Sequence, residues 1–139
     1  MVWYYEGREF KENEIGEFKA FVYLITNDVS GLQYIGKKRF RKKTTKPPLK
    51  GFRRKRVCYT SSNWMEYYGS NAKLLEDVKE LGEDRFTRTI LRLCHTLGES
   101  SYWEAYHQLI NHVLLNPEKY YNNFVGCKIH SKHLTRPKK

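Results

Sequence analysis

Two tyrosines stand eleven residues apart, Tyr23 in Phe21-Val22-Tyr23 and Tyr34 in Tyr34-Ile35-Gly36, and Lys37 follows the second motif directly. Phenols and ammonium groups placed so closely suit a particular chemistry. Hydrolysis of a phosphodiester needs a deprotonated water in line with the leaving oxygen, and positive charge to meet the charge that grows on the phosphoryl group. A tyrosine of ordinary pKa is only about 0.1% phenolate at pH 7 and a poor base by itself. A nearby cation favours the phenolate. Lys37, three residues beyond Tyr34, is one such cation, and an arginine from the following segment is another.

The charge is distributed to the same end. The formal net charge is +11, yet Lys37 to Arg56, KKRFRKKTTKPPLKGFRRKR, carries twelve Lys or Arg and no acid, whereas the rest of the chain has fourteen basic against fifteen acidic residues. The run sits between two ordered-looking stretches and contains Phe40, Pro47, Pro48, Gly51 and Phe52. Its pattern predicts a long basic loop lying along a polyanion, in which each phosphate neutralised releases counterions. Lys38, Arg39, Arg41, Lys42, Lys43, Arg53 and Arg54 are the expected nucleic-acid contacts.

These side chains need a scaffold. A chain of 139 residues is near the usual size of one domain. The expected organisation is a single domain over 1–139, with its core at about 20–123, the basic loop at 37–56 and a basic tail at 126–139. The N-terminal VWYYEGREF reads as a small hairpin turning at Glu6-Gly7. Phe21 to Thr26 and Leu32 to Ile35 are β-prone and joined by the turn residues Asn27 to Gly31, so Tyr23 and Tyr34 are expected on paired strands. NAKLLEDVKELG predicts a helix with Ala72, Leu74, Leu75, Val78 and Leu81 on one face, capped by Ser70 or Asn71 and closed by Gly82. FTRTILRLC, residues 86–94, reads as a strand. Ser100 or Ser101 is expected to open a second helix with a stripe of Trp103, Tyr106, Leu109, Ile110, Val113 and Leu114, stopped at Asn116-Pro117. Strands not all joined by helices argue for an α+β fold, a small central antiparallel three-stranded sheet flanked by helices.

In this order the motifs resemble the GIY-YIG nuclease family over roughly residues 20–123, with Phe21 where the first glycine is usual. Lys37, the helix ending at Leu81-Gly82, the strand FTRTIL, Glu104 and Tyr121-Asn122 complete the set. The basic insert and SSNWMEYYGSN are similar to small stand-alone phage-type members. The resemblance implies an endonuclease that hydrolyses DNA with one Mg²⁺ or Mn²⁺ held by Glu104 and no small-molecule cofactor. One of Tyr23 and Tyr34 would activate water, Tyr34 being favoured because of Lys37. It also implies a catalytic arginine: Arg56, next to the aromatic stretch, with Arg54 and Arg41 behind it. Tyr67 or Tyr68 would assist proton transfer, and Asn122 would support the site. The alternative is a non-catalytic DNA- or RNA-binding module that keeps the fold.

Two other signals have local explanations. Ser101-Tyr102-Trp103-Glu104 is a capping-box pattern, in which Glu104 would only cap a helix. Cys127, His130 and His133 lack a fourth zinc ligand at a recognised spacing, and His107 and His112 read as ordinary helix residues. Three cysteines without close pairing and no apolar stretch of membrane-spanning length lead to the expectation of a cytoplasmic protein, in the host cytoplasm if phage-encoded. No separate recognition domain is visible in the sequence.

Overall fold

The computed structural model describes residues 2–126 and 128–134. Its centre is β3 (Ala20–Asn27), flanked by antiparallel β4 (Gln33–Arg39) and antiparallel β7 (Phe86–Cys94). Strand β3 is covered on both faces, which is why its run of apolar residues is nearly continuous. Phe21, Tyr23 and Ile25 enter one core with Trp3, Phe40, Trp64, Leu74 and Ile90. Val22 enters another with Ile35, Cys94 and Val113. The turn between β3 and β4 is fixed by Asn27, whose Oδ1 accepts from the amides of Val29 and Ser30, and by Gly31 at φ +82°.

The sheet is larger than three strands and not wholly antiparallel. The N-terminal hairpin of β1 (Trp3–Tyr5) and β2 (Arg8–Phe10) joins it, giving the order β2-β1-β7-β3-β4, and β1 runs parallel to β7. Trp3 is the reason. Its ring is completely buried, lies edge-on to Phe21 and Tyr23, and donates its Nε1–H to the Trp64 carbonyl at 2.8 Å. A buried indole with its polar atom satisfied anchors the first strand against β7.

The first helix, α1 (Ala72–Leu81), forms as its sequence predicts, with Asn71 Oδ1 accepting from the Leu74 amide and Gly82 ending it at φ +94°. Its buried stripe is narrower, Leu74 and Val78, while Leu75 and Leu81 face solvent. The second helix, α2 (Leu97–Ile110), starts three to four residues before Ser100 or Ser101 and ends well before Pro117. Thr96 is the cap, its Oγ1 accepting from the Glu99 amide at 3.0 Å, and the Ser100 and Ser101 hydroxyls donate back to the Leu97 carbonyl. After Ile110 the chain passes through His112 at φ +52° into a short 3₁₀ turn, Val113–Leu115. Tyr106, Leu109, Ile110 and Leu114 are exposed, and the covered face of α2 is instead Ser100, Ala105 and Gln108. Of the expected stripe Trp103 and Val113 pack inward, in the cluster of Val22, Ile35 and Cys94, and the helix is turned so that polar Ser101 and Gln108 meet β4.

The basic segment is the largest departure from expectation. Lys37 to Arg39 belong to β4. After Phe40 alone, the chain enters β5 (Arg41–Lys46), turns through 47–55, and returns as β6 (Arg56–Ser61) in a two-stranded antiparallel sheet of its own. Pro47, Pro48 and Gly51 fall in the tip, so the Thr- and Val-containing flanks are free to pair. Of the described residues, no helix is long and apolar enough to cross a membrane.

Candidate active site

Tyr23 and Gly36 are cross-strand partners, and Tyr34 lies opposite Ile25, so both phenols stand on the same face of the sheet. Tyr23 is 1% exposed, packed edge-on to Trp3 and Tyr67 and tilted against Tyr34. Its hydroxyl passes directly over Gly36: a Cβ there would sit 2.4 Å from Tyr23 Oη and 2.6 Å from Cζ. The glycine is therefore required by the phenol across from it. Beside Tyr23 the β3–β7 register shifts, Val22 pairing with Arg92 but Tyr23 with Ile90, a bulge of the kind that re-aims a side chain. Tyr34 is half-buried, with its hydroxyl 3.1 Å from Ser70 Oγ and its ring close over Gly69 at φ +89°.

Burial drives the Tyr23 pKa well above that of a free phenol, and the charges of Tyr67, Tyr34 and Glu104 push it the same way. Burial also raises Tyr34, opposed by its Ser70 hydrogen bond. Lys37 does not counter either effect. Residues three apart on a strand point to opposite faces, so Lys37 leaves β4 on the side away from Tyr34 and donates to Ser101 Oγ on α2. The expectation that Lys37 tunes Tyr34 is overturned by strand parity alone. Lys38 is the cation on the phenol face, its Nζ 4.2 Å above the Tyr67 ring, and its pKa is lowered by burial and by Arg39 and Lys42.

Glu104 lies in the middle of α2, eight residues past the Thr96 cap, and so has no capping role. Burial raises its pKa, while the charge and backbone amide of Lys37 pull it down. Its charge reaches Tyr23 and Tyr34. The carboxylate thus lies against Lys37 at the β4 edge, near enough to both phenols for its charge to act on them.

Two residues hold this edge in place. Asn122 Oδ1 accepts from the Ile35 amide at 3.0 Å and its Nδ2 donates to the Ile35 carbonyl at 2.8 Å; Gln108 Nε2 donates to the same carbonyl at 2.9 Å. One turn of the ladder earlier, Gln33 exchanges backbone hydrogen bonds with Lys119 and Tyr121. A carboxamide carries the donor and acceptor of a peptide group, so Asn122 continues the sheet past its last strand. Gln108 gave no signal in sequence beyond its position four residues after Glu104 on the same helical face.

The remaining candidates separate. Tyr67 packs on Tyr23 and lies with Lys37, Lys38, Arg39, Ser101 and Lys128 around an open groove. Tyr68 is buried under the Arg88 guanidinium, 4.3 Å from its ring centre, and does not line that groove. Arg56 is at the far end of the basic ribbon, paired with Lys46 and donating to the Pro47 carbonyl, and is not brought to the phenols. Arg41 sits at the near end, lining a cleft with Lys19, Arg39 and Tyr59. Lys42 and Lys43 are on the exposed shaft, Arg53 and Arg54 at the tip. His130 and His133 use their Nδ1 atoms to accept from backbone amides. Cys127 and 135–139 of the tail lie outside the described residues.

The fold is α+β, with the site side chains gathered at the β4 edge. Residues 3–125 match the family described as "Putative endonuclease segE, GIY-YIG domain", and the chain belongs to that family of GIY-YIG endonucleases. The match takes in the N-terminal hairpin, which the resemblance over 20–123 left out. No curated protein and no solved structure matches the chain.

Proposed function

We propose that the protein is a metal-dependent endonuclease that hydrolyses DNA phosphodiester bonds at the β4 edge, within one domain spanning the chain. The observation that carries this reading is the position of Glu104, a half-buried carboxylate in mid-helix that lies against Lys37 and whose charge acts on Tyr23 and Tyr34. Among the described residues no group of three or more His, Cys, Asp or Glu could hold a metal ion. A single carboxylate whose own pKa is raised by burial fits a hard cation that keeps most of its waters, Mg²⁺ or Mn²⁺. Bound by Glu104, a divalent cation would supply the positive charge that both phenols lack and would offset charge on the phosphate.

Tyr34 is the more accessible phenol, and as phenolate it takes the proton of the attacking water. Tyr23, locked over Gly36, fixes the position of the β4 backbone and of Tyr34 beside it. Lys37, held by Ser101, and Lys38, held over Tyr67, meet the two sides of the phosphate backbone. Asn122 and Gln108 keep Ile35, and so the phenol-bearing strand, from shifting.

Purified protein is incubated with supercoiled plasmid, linear duplex, single strands and RNA, with and without Mg²⁺, beside the Glu104→Gln protein. Mg²⁺-dependent cutting of duplex DNA by the wild type is expected, and none by Glu104→Gln at any Mg²⁺ concentration, with melting within a few degrees of wild type. Retained cleavage by Glu104→Gln would show that the metal is held elsewhere.

A further inference from the structure

The β5–β6 ribbon is an unusual object to find on a small domain. It pairs over six register positions, Arg41 with Ser61 through Lys46 with Arg56, in a sheet separate from the main one. All of its residues are exposed except Thr44 and Cys58, which are partly covered. A two-stranded hairpin that buries neither face is marginal in water. Its root is nevertheless fixed. Phe40 is buried among Phe10, Phe21 and Trp64, its amide donates to the Lys19 carbonyl, its carbonyl accepts from Ser62, and Ser62 Oγ donates to the Arg39 carbonyl. An exposed shaft on a rigid root is a surface aimed at something outside the molecule.

The chemistry of the shaft says what. From Lys37 to Met65 the sequence has no acidic residue. Residues paired across the ribbon share a face, and one face carries Arg41, Lys43 and Tyr59, with Arg41 and Tyr59 turned to the body beside Lys19 and Leu97. The opposite face, none of whose residues lines that cleft, carries Lys42, Thr44, Lys46, Arg56, Cys58 and Thr60, all exposed but Thr44 and Cys58. Lysine, arginine and threonine are side chains that meet base edges as well as phosphates. A two-stranded β-ribbon has the width of the B-DNA major groove, whereas the major groove of an RNA duplex is too deep and narrow to admit it.

We propose that the β5–β6 ribbon is a sequence-reading element that enters the major groove of duplex DNA with the face of Lys42, Lys46, Arg56 and Thr60, and so sets where the β4 edge cuts. This deepens the nuclease reading and rests on it for the cut itself. The ladder is about 17 Å long at the usual rise per residue, and one turn of B-DNA spans about 34 Å over about 10 base pairs. A rigid root therefore places the read base pairs about half a turn, about 5 base pairs, to one side of the scissile bond.

The test separates binding from cutting. Glu104→Gln protein is used to select from duplex DNA of randomised sequence, the selected duplex is probed by dimethyl sulfate interference at guanine N7 and adenine N3, and wild-type cuts are mapped on it. Expected are a short selected motif, interference at guanine N7 in the major groove, and a cut about 5 base pairs to one side. Lys46→Ala with Thr60→Ala, both exposed on the face opposite that cleft, should lose at least about fivefold of the preference for selected over unselected duplex at unchanged melting temperature. Absence of a motif, absence of N7 interference, or equal affinity for single strands or duplex RNA overturns the assignment. A selected motif with N7 interference but no cutting by wild type leaves the ribbon as the reader and removes the nuclease reading instead.

Discussion

Replacing Gly36 with alanine tests whether the site is built on the contact between Tyr23 and β4. The added Cβ would lie 2.4 Å from Tyr23 Oη, 2.6 Å from its Cζ and 3.0 Å from Tyr34 Cε1. To restore ordinary contact the phenol must retreat by about 1 Å. It has little room, because the ring is 1% exposed and wedged against Trp3, Phe21, Tyr34 and Tyr67. Overpacking of this kind costs about 1–3 kcal/mol, or roughly 3–12 °C of melting temperature for a chain of this size. A 1 Å displacement at a reacting group costs on the order of 10²-fold in rate. The assay is plasmid nicking under single-turnover conditions beside a thermal melt. Adding Tyr23→Phe removes the shorter contact but not the one to Cζ, so the double variant should recover part of the stability. A Gly36→Ala protein that melts and cuts like wild type would refute the reasoning, since it would mean that the phenol moves freely.

Tyr34→Phe keeps the ring over Gly69 and removes only the hydroxyl bonded to Ser70; cleavage should fall at least about 10²-fold with DNA affinity unchanged by filter binding, and wild-type cleavage would pass the role of base to Tyr23. Asn122→Ala strips the Ile35 amide of its partner while Gln108 still serves the carbonyl, so urea melts should show a loss of about 1–3 kcal/mol. Asp77 accepts from the buried Tyr121 hydroxyl at 2.7 Å and pairs with Lys73 at 2.9 Å, and the Tyr121 hydrogen bond, with Lys73, holds its pKa below the usual carboxylate value. Its contribution is then complete above about pH 4 and lost only as pH falls through the lower folded value, so Asp77→Asn should flatten the acid limb of a stability profile below about pH 4 and leave the shape between pH 5 and 8 unchanged.

The strands of the main sheet, the first helix with both its caps, and the family were legible in sequence because each rests on local chemistry: β-branched and aromatic runs, Asn27 and Gly31 at a tight turn, Asn71 and Gly82 at helix ends. Tyr23, Tyr34, Lys37 and Glu104 could be picked out for the same reason, as residue types in a recognisable order. What the sequence could not decide is where those side chains point. Lys37 and Tyr34 look like partners along the chain but lie on opposite faces of β4, a consequence of pleating that counting would have caught. Apolar periodicity on α2 marked a stripe of which only Trp103 and Val113 pack inward while Tyr106, Leu109, Ile110 and Leu114 stay exposed, because the helix is turned to present Ser101, Glu104 and Gln108 to the sheet edge. The basic segment read as a loop because charge repulsion and two prolines mask strand propensity, and only the clamp on Phe40 and Ser62 sets its two halves in register. Trp3, 20 residues from Tyr23 and 31 from Tyr34, enlarges the sheet through a burial that no local pattern encodes. Local propensity writes the elements; the parity of a strand, the rotation of a helix and the anchoring of a distant ring are settled only when all of them compete for the same core.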